Sequence, residues 1–361
     1  MYYQFVMQCT RFIFDIELKM EESEKEEAAI EPEPKKTPDR RSDIDMLKAF
    51  CIICMIMGHV EFTEGFNKWI HGFHMPAFFI ISGYLHKVRP VSEVAKRRFG
   101  TLIVPYLFFG ALCVAVEFIT EGVDLQVLKR FLLFNTQGEG VPMAGAIWFL
   151  TCMFFIEIFY AMAEAASKGN KKILTMIVLL MSLAGIIIVL FVSAKLIWAM
   201  DTALVGTGLY HMGRIVRLKG EKFIAMPLWA TALSLILFSA TIMFNDYVNM
   251  RKDDYGNFAL FWINALGMSL ALWSAFGLIS KKFKLRLFAD VGRYSIIYLC
   301  LNQLVIHFVK DAVVLAGINY YASPSVTFMC SVGVTIITMI VLYLFVLLFK
   351  HTPLRHIVGW K

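Results

Sequence analysis

Charge is scarce in this chain. Asp, Glu, Lys and Arg make up 17% of its 361 residues and 58% are hydrophobic, whereas about a quarter of an ordinary soluble domain is charged. So little charge cannot cover the surface of two water-soluble domains, the number the length would otherwise suggest. Cysteine chemistry is poorly supplied too. The seven cysteines, Cys9, Cys51, Cys54, Cys113, Cys152, Cys300 and Cys330, fall mostly inside apolar runs and give no disulfide framework or metal cluster. Cys51 and Cys54 have C-x-x-C spacing but stand alone within one run, where they read as small apolar packing rather than a redox or metal pair. No long segment alternates apolar with polar residues, which excludes a membrane β-barrel. The opening MYYQFVMQCTRFIF lacks a basic leading region and a small-residue cleavage site, and Arg11 interrupts it, so it is not read as a signal peptide. What remains is one all-α integral membrane protein.

Ten apolar runs follow from residue 45, at about 45–62, 70–86, 101–119, 143–165, 172–193, 196–213, 223–244, 258–280, 287–308 and 326–349. Most approach the roughly 20 residues that cross about 30 Å of hydrocarbon, although the second and sixth are short. Ahead of them, KMEESEKEEAAIEPEPKKTPDRR is charged and nearly without large apolar residues, the composition of a disordered segment. The expected organisation is a disordered cytoplasmic tail at 1–44, a ten-helix membrane domain at 45–350 and a short cytoplasmic tail at 351–361. With the N-terminus inside, 26 of the 35 Lys and Arg fall in inner segments and 7 in outer ones, Lys48 and Arg293 being counted within spans. Excess Lys and Arg on one side marks the cytoplasm. Both termini are therefore expected inside, and the net charge of +7 reflects loops rather than nucleic-acid binding.

Two ionisable residues sit on the first run, LKAFCIICMIMGHV. Lys48 and His59 are eleven residues apart, about 1100° on a helix, which puts them on one face and about 16 Å apart along the axis. Charge within a span is costly and normally faces a bundle interior, so a functional polar stripe is the default reading. The plain alternative has Lys48 reaching the inner headgroups beside Asp45 and His59 merely ending the helix. A second histidine, His74, opens the next run in FHMPAFFIISGYL. Pro76 suits a first turn, and Ser82-Gly83 allows close helix packing or local unwinding. Two histidines on one side suit general-base chemistry. Metal is the weaker choice, since no Asp, Glu or Cys with useful spacing joins them.

RSDIDMLKAFCIICMIMGHV resembles the first-span motif of acyltransferase family 3, the multi-pass O-acyltransferases that modify bacterial surface polysaccharides and related glycans. It is followed in the family's order by FHMPAFFIISGYL, KRRFGTLIVPY (96–106), IWFL (147–150) and GRYSIIYLCLNQLVI (292–306). The resemblance covers residues 41 to about 350 and looks closest to the short forms related to fucose 4-O-acetylases. It implies that Lys48 and His59 form the functional pair, with His59 the catalytic base and His74 in the same pocket. Lys96, Arg97 and Arg98 follow the second span on the inner side, where phosphates of an anionic donor such as acetyl-CoA would arrive; plain topology signalling explains them too.

Trp148 reads as a packing or a substrate-facing aromatic. Asp201, inside or beside the sixth span, needs a partner and is a candidate for acceptor binding or histidine orientation. Arg293 and Asn302 are similarly placed in the ninth span. Relatives often carry a histidine near Asn302, where this chain has LNQ, so no role of that histidine transfers. Glu157, deep in the fourth span, has no evident partner in the sequence. No appended soluble domain is expected after the tenth span, so the bundle itself should hold the acceptor site. The resulting expectation is an inner-membrane O-acetyltransferase without metal, taking acetyl from cytoplasmic acetyl-CoA to a hydroxyl of a surface glycan or lipid-linked sugar. A secondary transporter is the rival, since intramembrane ionisable residues suit one as well. No internal repeat of halves supports it.

Overall fold

The computed structural model describes residues 41–60, 62–122, 124–134, 141–192 and 195–360, so the tail expected at 1–44 lies almost wholly outside the described residues. These residues form a helical bundle of α1 (Ser42–Val60), α2 (Glu64–His71), α3 (His74–Tyr84), α4 (Val91–Thr120), α5 (Trp148–Ser167), α6 (Lys171–Phe191), α7 (Met200–Leu218), α8 (Leu228–Phe244), α9 (Phe258–Lys282), α10 (Arg286–Arg293), α11 (Ser295–Leu315) and α12 (Pro324–His351). No strand is present among the described residues beyond one antiparallel bridge between Asn249 and Asp254. Side-chain caps set several starts. Asn170 accepts from the Ile173 amide at 3.1 Å, Asn257 from Ala259 and Leu260 at 3.0 and 3.1 Å, and Ser323 from Val326 at 3.3 Å. Inside α4, Pro105 has no N–H to give, and the helix widens just before it into a π turn over Phe99–Ile103 in which the Val104 amide reaches Phe99 O.

Among the described residues, six helices are long and apolar enough to cross a membrane: Val91–Thr120, Met143–Ser167, Lys171–Phe191, Phe258–Lys282, Ser295–Leu315 and Pro324–His351. The other four expected runs are helical as well, but α3 and α8 are short, while α1 carries Asp43, Asp45 and Lys48 and α7 is rich in glycine and polar residues. The 70–86 run is broken at residues 72–73 into α2 and α3, and the 287–308 run is broken at Tyr294 into α10 and α11. Arg293 therefore ends a short helix outside the ninth span, with its guanidinium over the Tyr294 ring at 5.3 Å. Residues at both edges of the expected domain are packed. Asp43 is buried, held by Arg41 at 2.6 Å and by the Trp273 indole at 2.9 Å, and Trp360 lies edge-on to Tyr294, centroids 4.8 Å apart.

The backbones of α3 and α7 approach closely. A Cβ on Gly83 would stand 1.8 Å from the carbonyl oxygen of Tyr210, and one on Gly213 would stand 1.9 Å from that of Ile80. Small residues let two helix backbones touch in this way. Around this contact the polar residues divide between two ends of the bundle. One end gathers the start of α1 and the ends of α3, α5 and α7. There Arg41 and Arg217 both donate to the Tyr84 hydroxyl, at 2.7 and 3.3 Å, and His86 bridges the Tyr210 hydroxyl at 2.9 Å and Glu164 at 2.8 Å. The opposite end holds His59, α2, the start of α3 and the 245–257 loop. Outward, α6, α8 and α12 expose Leu179, Leu183, Ile236, Ile336 and Ile340, an apolar face suited to lipid. Gly213→Ala should destabilise the bundle by about 3 kcal/mol or more, because the carbonyl it would strike belongs to a helix backbone that cannot yield. The measurement is the melting temperature in detergent, and an unchanged value would refute the α3–α7 contact.

Candidate active site

Pro76 explains why the second apolar run breaks where it does. Lacking an N–H, and with a ring that crowds the carbonyl four residues earlier, it cannot continue a helix through Gly72. The chain turns at Gly72 and Phe73, whose amides return to Trp69 O and Ile70 O at 3.3 and 3.2 Å, and α3 restarts at His74. The break puts two histidines three residues apart at a helix junction. His71 Nδ1–H donates to Asn67 O at 2.7 Å, and His74 Nδ1–H donates to Ile70 O at 2.8 Å. A proton fixed at Nδ1 leaves each Nε2 as the basic atom. The two rings meet edge to face at 5.0 Å, and Tyr247 lies 5.0 Å from His71 on its other side.

His59 joins them from the end of α1. A Cβ on Gly58 would be 3.2 Å from His71 Cε1, so the missing side chain lets His71 lie against α1. Gln303 of α11 donates from Nε2 to His59 Nδ1 at 3.0 Å. With the amide nitrogen donating, neutral His59 carries its proton at Nε2; with the amide turned over, Oε1 accepts from Nδ1–H and Nε2 becomes the basic atom. Gly145, in the 3₁₀ turn ahead of α5, keeps this corner open. A Cβ there would stand 2.5 Å from Gln303 Oε1 and 2.7 Å from Arg251 Nη1. His59, His71, His74, Trp148, Tyr247, Arg251 and Gln303 thus share one cavity of about 180 Å³.

Arg251 is delivered by the 245–257 loop, which is fastened at several points. The Asn249–Asp254 bridge closes it with amide bonds of 2.7 and 3.1 Å, and the Asn245 side chain spans its base to Tyr255 O at 3.1 Å and the Asn257 amide at 2.8 Å. Asp253, left-handed at φ 58°, pairs with Lys195 and lies 2.7 Å from the hydroxyl of Thr202 at the start of α7. Burial and then the neighbouring Asp201 raise Asp253 to about 6, against the pull of Lys195 and Thr202. Burial lowers Arg251 to about 10, which leaves it cationic at neutral pH.

The sequence-predicted residues divide accordingly. His59, His74 and Trp148 line the cavity, the last two with 4% of their surface exposed. Lys48, half-buried on α1, is not among the lining residues. Asp201 is buried at the start of α7 and accepts from the Leu196 and Thr202 amides at 2.9 and 2.8 Å, so it shapes the helix start that holds the Arg251 loop. Asn302 turns back on its own helix, donating to Tyr298 O and Leu299 O at 3.1 and 2.7 Å, and it is Gln303 that reaches His59.

Arg97 is exposed near the start of α4, whereas Arg98 is paired with Glu157, which gives that buried acid its partner. A second cavity of about 360 Å³ opens at the Arg41 end, lined by Arg41, Asp43, Ser274 and Lys281, with Arg41 engaged by Asp43 and Tyr84. Among the described residues no three His, Cys, Asp or Glu side chains are arranged to hold a metal ion.

Four of these seven lining residues, His71, Tyr247, Arg251 and Gln303, lie beyond the sequence reading. His71 had a visible signal, the H-x-x-H spacing with His74. Gln303 is the neighbour of Asn302, and Arg251 falls among the seven outer-segment Lys and Arg. A sequence model of a family described as Acyltransferase domain matches residues 41–344. No curated protein and no solved structure matches the chain.

Proposed function

The chain belongs to this acyltransferase family, and on that premise we propose that it is an O-acetyltransferase of the inner, or plasma, membrane. It crosses the bilayer ten times with both termini in the cytoplasm, and moves acetyl from cytoplasmic acetyl-CoA to a hydroxyl of a surface glycan or lipid-linked sugar. The observation that carries this reading is the convergence of His59, His71, His74 and Arg251 on one small cavity at the far end of α1 from Asp43. The hydroxyl oxygen attacks the thioester carbonyl carbon, the new C–O bond forms, the C–S bond breaks, and the thiolate leaves. With the Gln303 amide turned over so that Oε1 accepts from Nδ1–H, His59 Nε2 takes the hydroxyl proton and then returns it to the departing sulfur. His74, with Nε2 free of a proton, accepts a hydrogen bond from a second hydroxyl of the acceptor and so positions the attacking one. Trp148 walls the acceptor side, and Asp201 acts by holding the start of α7. Asn302 supports the α11 turn that presents Gln303. Lys48 lies about 16 Å from His59 along α1 and binds the donor's extended arm.

Ten crossings require α1, α3, α7 and α8 to span with the six longer helices, the polar groups of α1 and α7 being turned inward. In that topology Asp254 is outside and Gly220 inside. A membrane-impermeant thiol reagent should label a cysteine placed at Asp254 but not one placed at Gly220 in intact cells; the reverse would put the cavity on the cytoplasmic side and remove this donor route.

Donor phosphates meet Arg97 and Arg98 at the cytoplasmic mouth. Arg97→Gln is expected to raise the KM for acetyl-CoA several-fold with the acceptor KM unchanged. Arg98→Gln should instead lower stability by about 3–5 kcal/mol, since it strands Glu157. An Arg97→Gln enzyme with unaltered donor KM would reduce that charge to a topology signal.

The central test is His59→Ala. Side-chain proton transfer contributes about 10²–10⁴-fold in rate, so this variant should insert normally and bind CoA yet show no measurable transfer. His74→Ala should keep low turnover with a raised acceptor KM. Near wild-type CoA-dependent transfer by inserted His59→Ala would defeat the reading. Substrate flux in vesicles without any acyl incorporation would put the transporter in its place.

A further inference from the structure

Tyr247 and His71 line the histidine cavity, and the proposed reaction has not used either of them. Tyr247 stands at the rim with 38% of its surface exposed, whereas His74 and Trp148 are buried at the floor. His71, half-buried, lies between. Its ring is 5.0 Å from that of Tyr247, tilted by 39°, and 5.0 Å from that of His74, nearly perpendicular at 86°. Three rings thus step inward at even spacing, from the open edge to a histidine on the floor.

Both rim rings are held in place. Two residues ahead of Tyr247, the Asn245 side chain spans the base of the loop to Tyr255 O at 3.1 Å and the Asn257 amide at 2.8 Å. Two residues behind it, the Asn249–Asp254 bridge closes the loop, and Val248 between is buried. His71 is oriented by its bond to Asn67 O at 2.7 Å and lies against α1 in the space that Gly58 leaves, where a Cβ would be 3.2 Å from Cε1. A fixed aromatic side chain offers a large contact area at little cost in rotamer freedom.

A pyranose ring presents C–H groups on a face and hydroxyls around its edge. The C–H groups carry slight positive charge and suit the negative face of an aromatic ring, and the hydroxyls need acceptors such as an imidazole nitrogen. With Nδ1–H given to Asn67 O, His71 offers Nε2 one ring inward of Tyr247, and His74 offers its own a ring further. An open-chain polyol has the hydroxyls without the rigid C–H face. The cavity of about 180 Å³ equals roughly six water volumes, the scale of one sugar ring. Resting on the acyl-transfer reading above, we propose that Tyr247 is a specificity-determining residue for the acceptor. It stacks on the C–H face of a cyclic sugar and so turns the hydroxyls of that ring toward His71 and His74. In the topology proposed above the 245–257 loop lies outside, where a surface glycan or the sugar of a lipid-linked acceptor arrives.

The test uses native membranes carrying wild-type protein, Tyr247→Ala or Tyr247→Phe, and follows label from radioactive acetyl-CoA into added soluble probes and into the membrane's own acceptor. The probes are the methyl pyranosides of glucose, galactose, mannose and fucose, with sorbitol and glycerol as open-chain controls. The wild type should acetylate at least one pyranoside in preference to both controls. For that pyranoside Tyr247→Ala should raise KM about ten-fold, the worth of one aromatic face, with the KM for acetyl-CoA unchanged, and Tyr247→Phe should stay within about two-fold of wild type. If Tyr247→Ala is not recovered in the membrane, Tyr247→Leu, which keeps apolar bulk without a ring face, takes its place. A wild-type pyranoside KM in Tyr247→Ala overturns the proposal and leaves Tyr247 an anchor at the membrane interface. So does a Tyr247→Phe as weak as Tyr247→Ala, a loss confined to kcat, a wild type that accepts sorbitol as well as any pyranoside, or one that labels its membrane acceptor but no pyranoside. A wild type that transfers label from acetyl-CoA to nothing sinks the acyl-transfer reading itself, whereas a competent wild type beside an unimpaired Tyr247→Ala sinks this inference alone.

Discussion

Two helix backbones touch where Gly83 of α3 meets Tyr210 of α7 and Gly213 of α7 meets Ile80 of α3, and the site depends on that contact. It fixes the relative position of two helix starts at the other end of the pair. From the start of α3 comes His74, and from the start of α7 comes Thr202, whose hydroxyl holds the loop that carries Arg251. A side chain at either glycine would force the backbones apart by more than a van der Waals contact allows. The histidines and the guanidinium would then no longer face one cavity.

A second constraint comes from the surroundings. In an apolar bundle every polar group must find its partner within the protein. The Arg41 end meets this by mutual pairing, with Arg41 on Asp43, Arg98 on Glu157 and His86 between Tyr210 and Glu164. The histidine end meets it differently. His71 and His74 each satisfy one ring nitrogen on a carbonyl one turn back and leave the other toward the cavity, and Gln303 Oε1 is buried there without a hydrogen-bond partner. Such a half-satisfied cluster is costly as mere structure and is what a pocket that receives polar substrate groups looks like.

Much of this was legible beforehand. The run of apolar segments announced a helical membrane protein, the K-x₁₀-H spacing of Lys48 and His59 singled out α1, and Ser82-Gly83 marked a close helix contact that Gly83 makes. Other features were not. The break at residues 72–73 follows from Pro76, but nothing local says that His71 packs on Gly58 and so joins the cavity. Asn302 and Gln303 differ by one residue, a turn of about 100° on a helix, and only the packing of α11 on α1 selects the second. Arg251, in NMRKDDYGN, looks like any basic residue of a loop.

Sequence by itself determined the class of the molecule, its helical segments, its membership of the acyltransferase domain family and two of the three histidines, because these rest on composition, period and spacing along one chain. The cavity was decided by tertiary structure alone. It joins α1, the α2–α3 junction, the turn before α5, the 245–257 loop and α11, parts separated by up to 244 residues in the His59–Gln303 contact. No local pattern encodes such a meeting, since it is set by which helix backbones can approach and by where a missing Cβ, at Gly58 and Gly145, leaves space for side chains arriving from elsewhere.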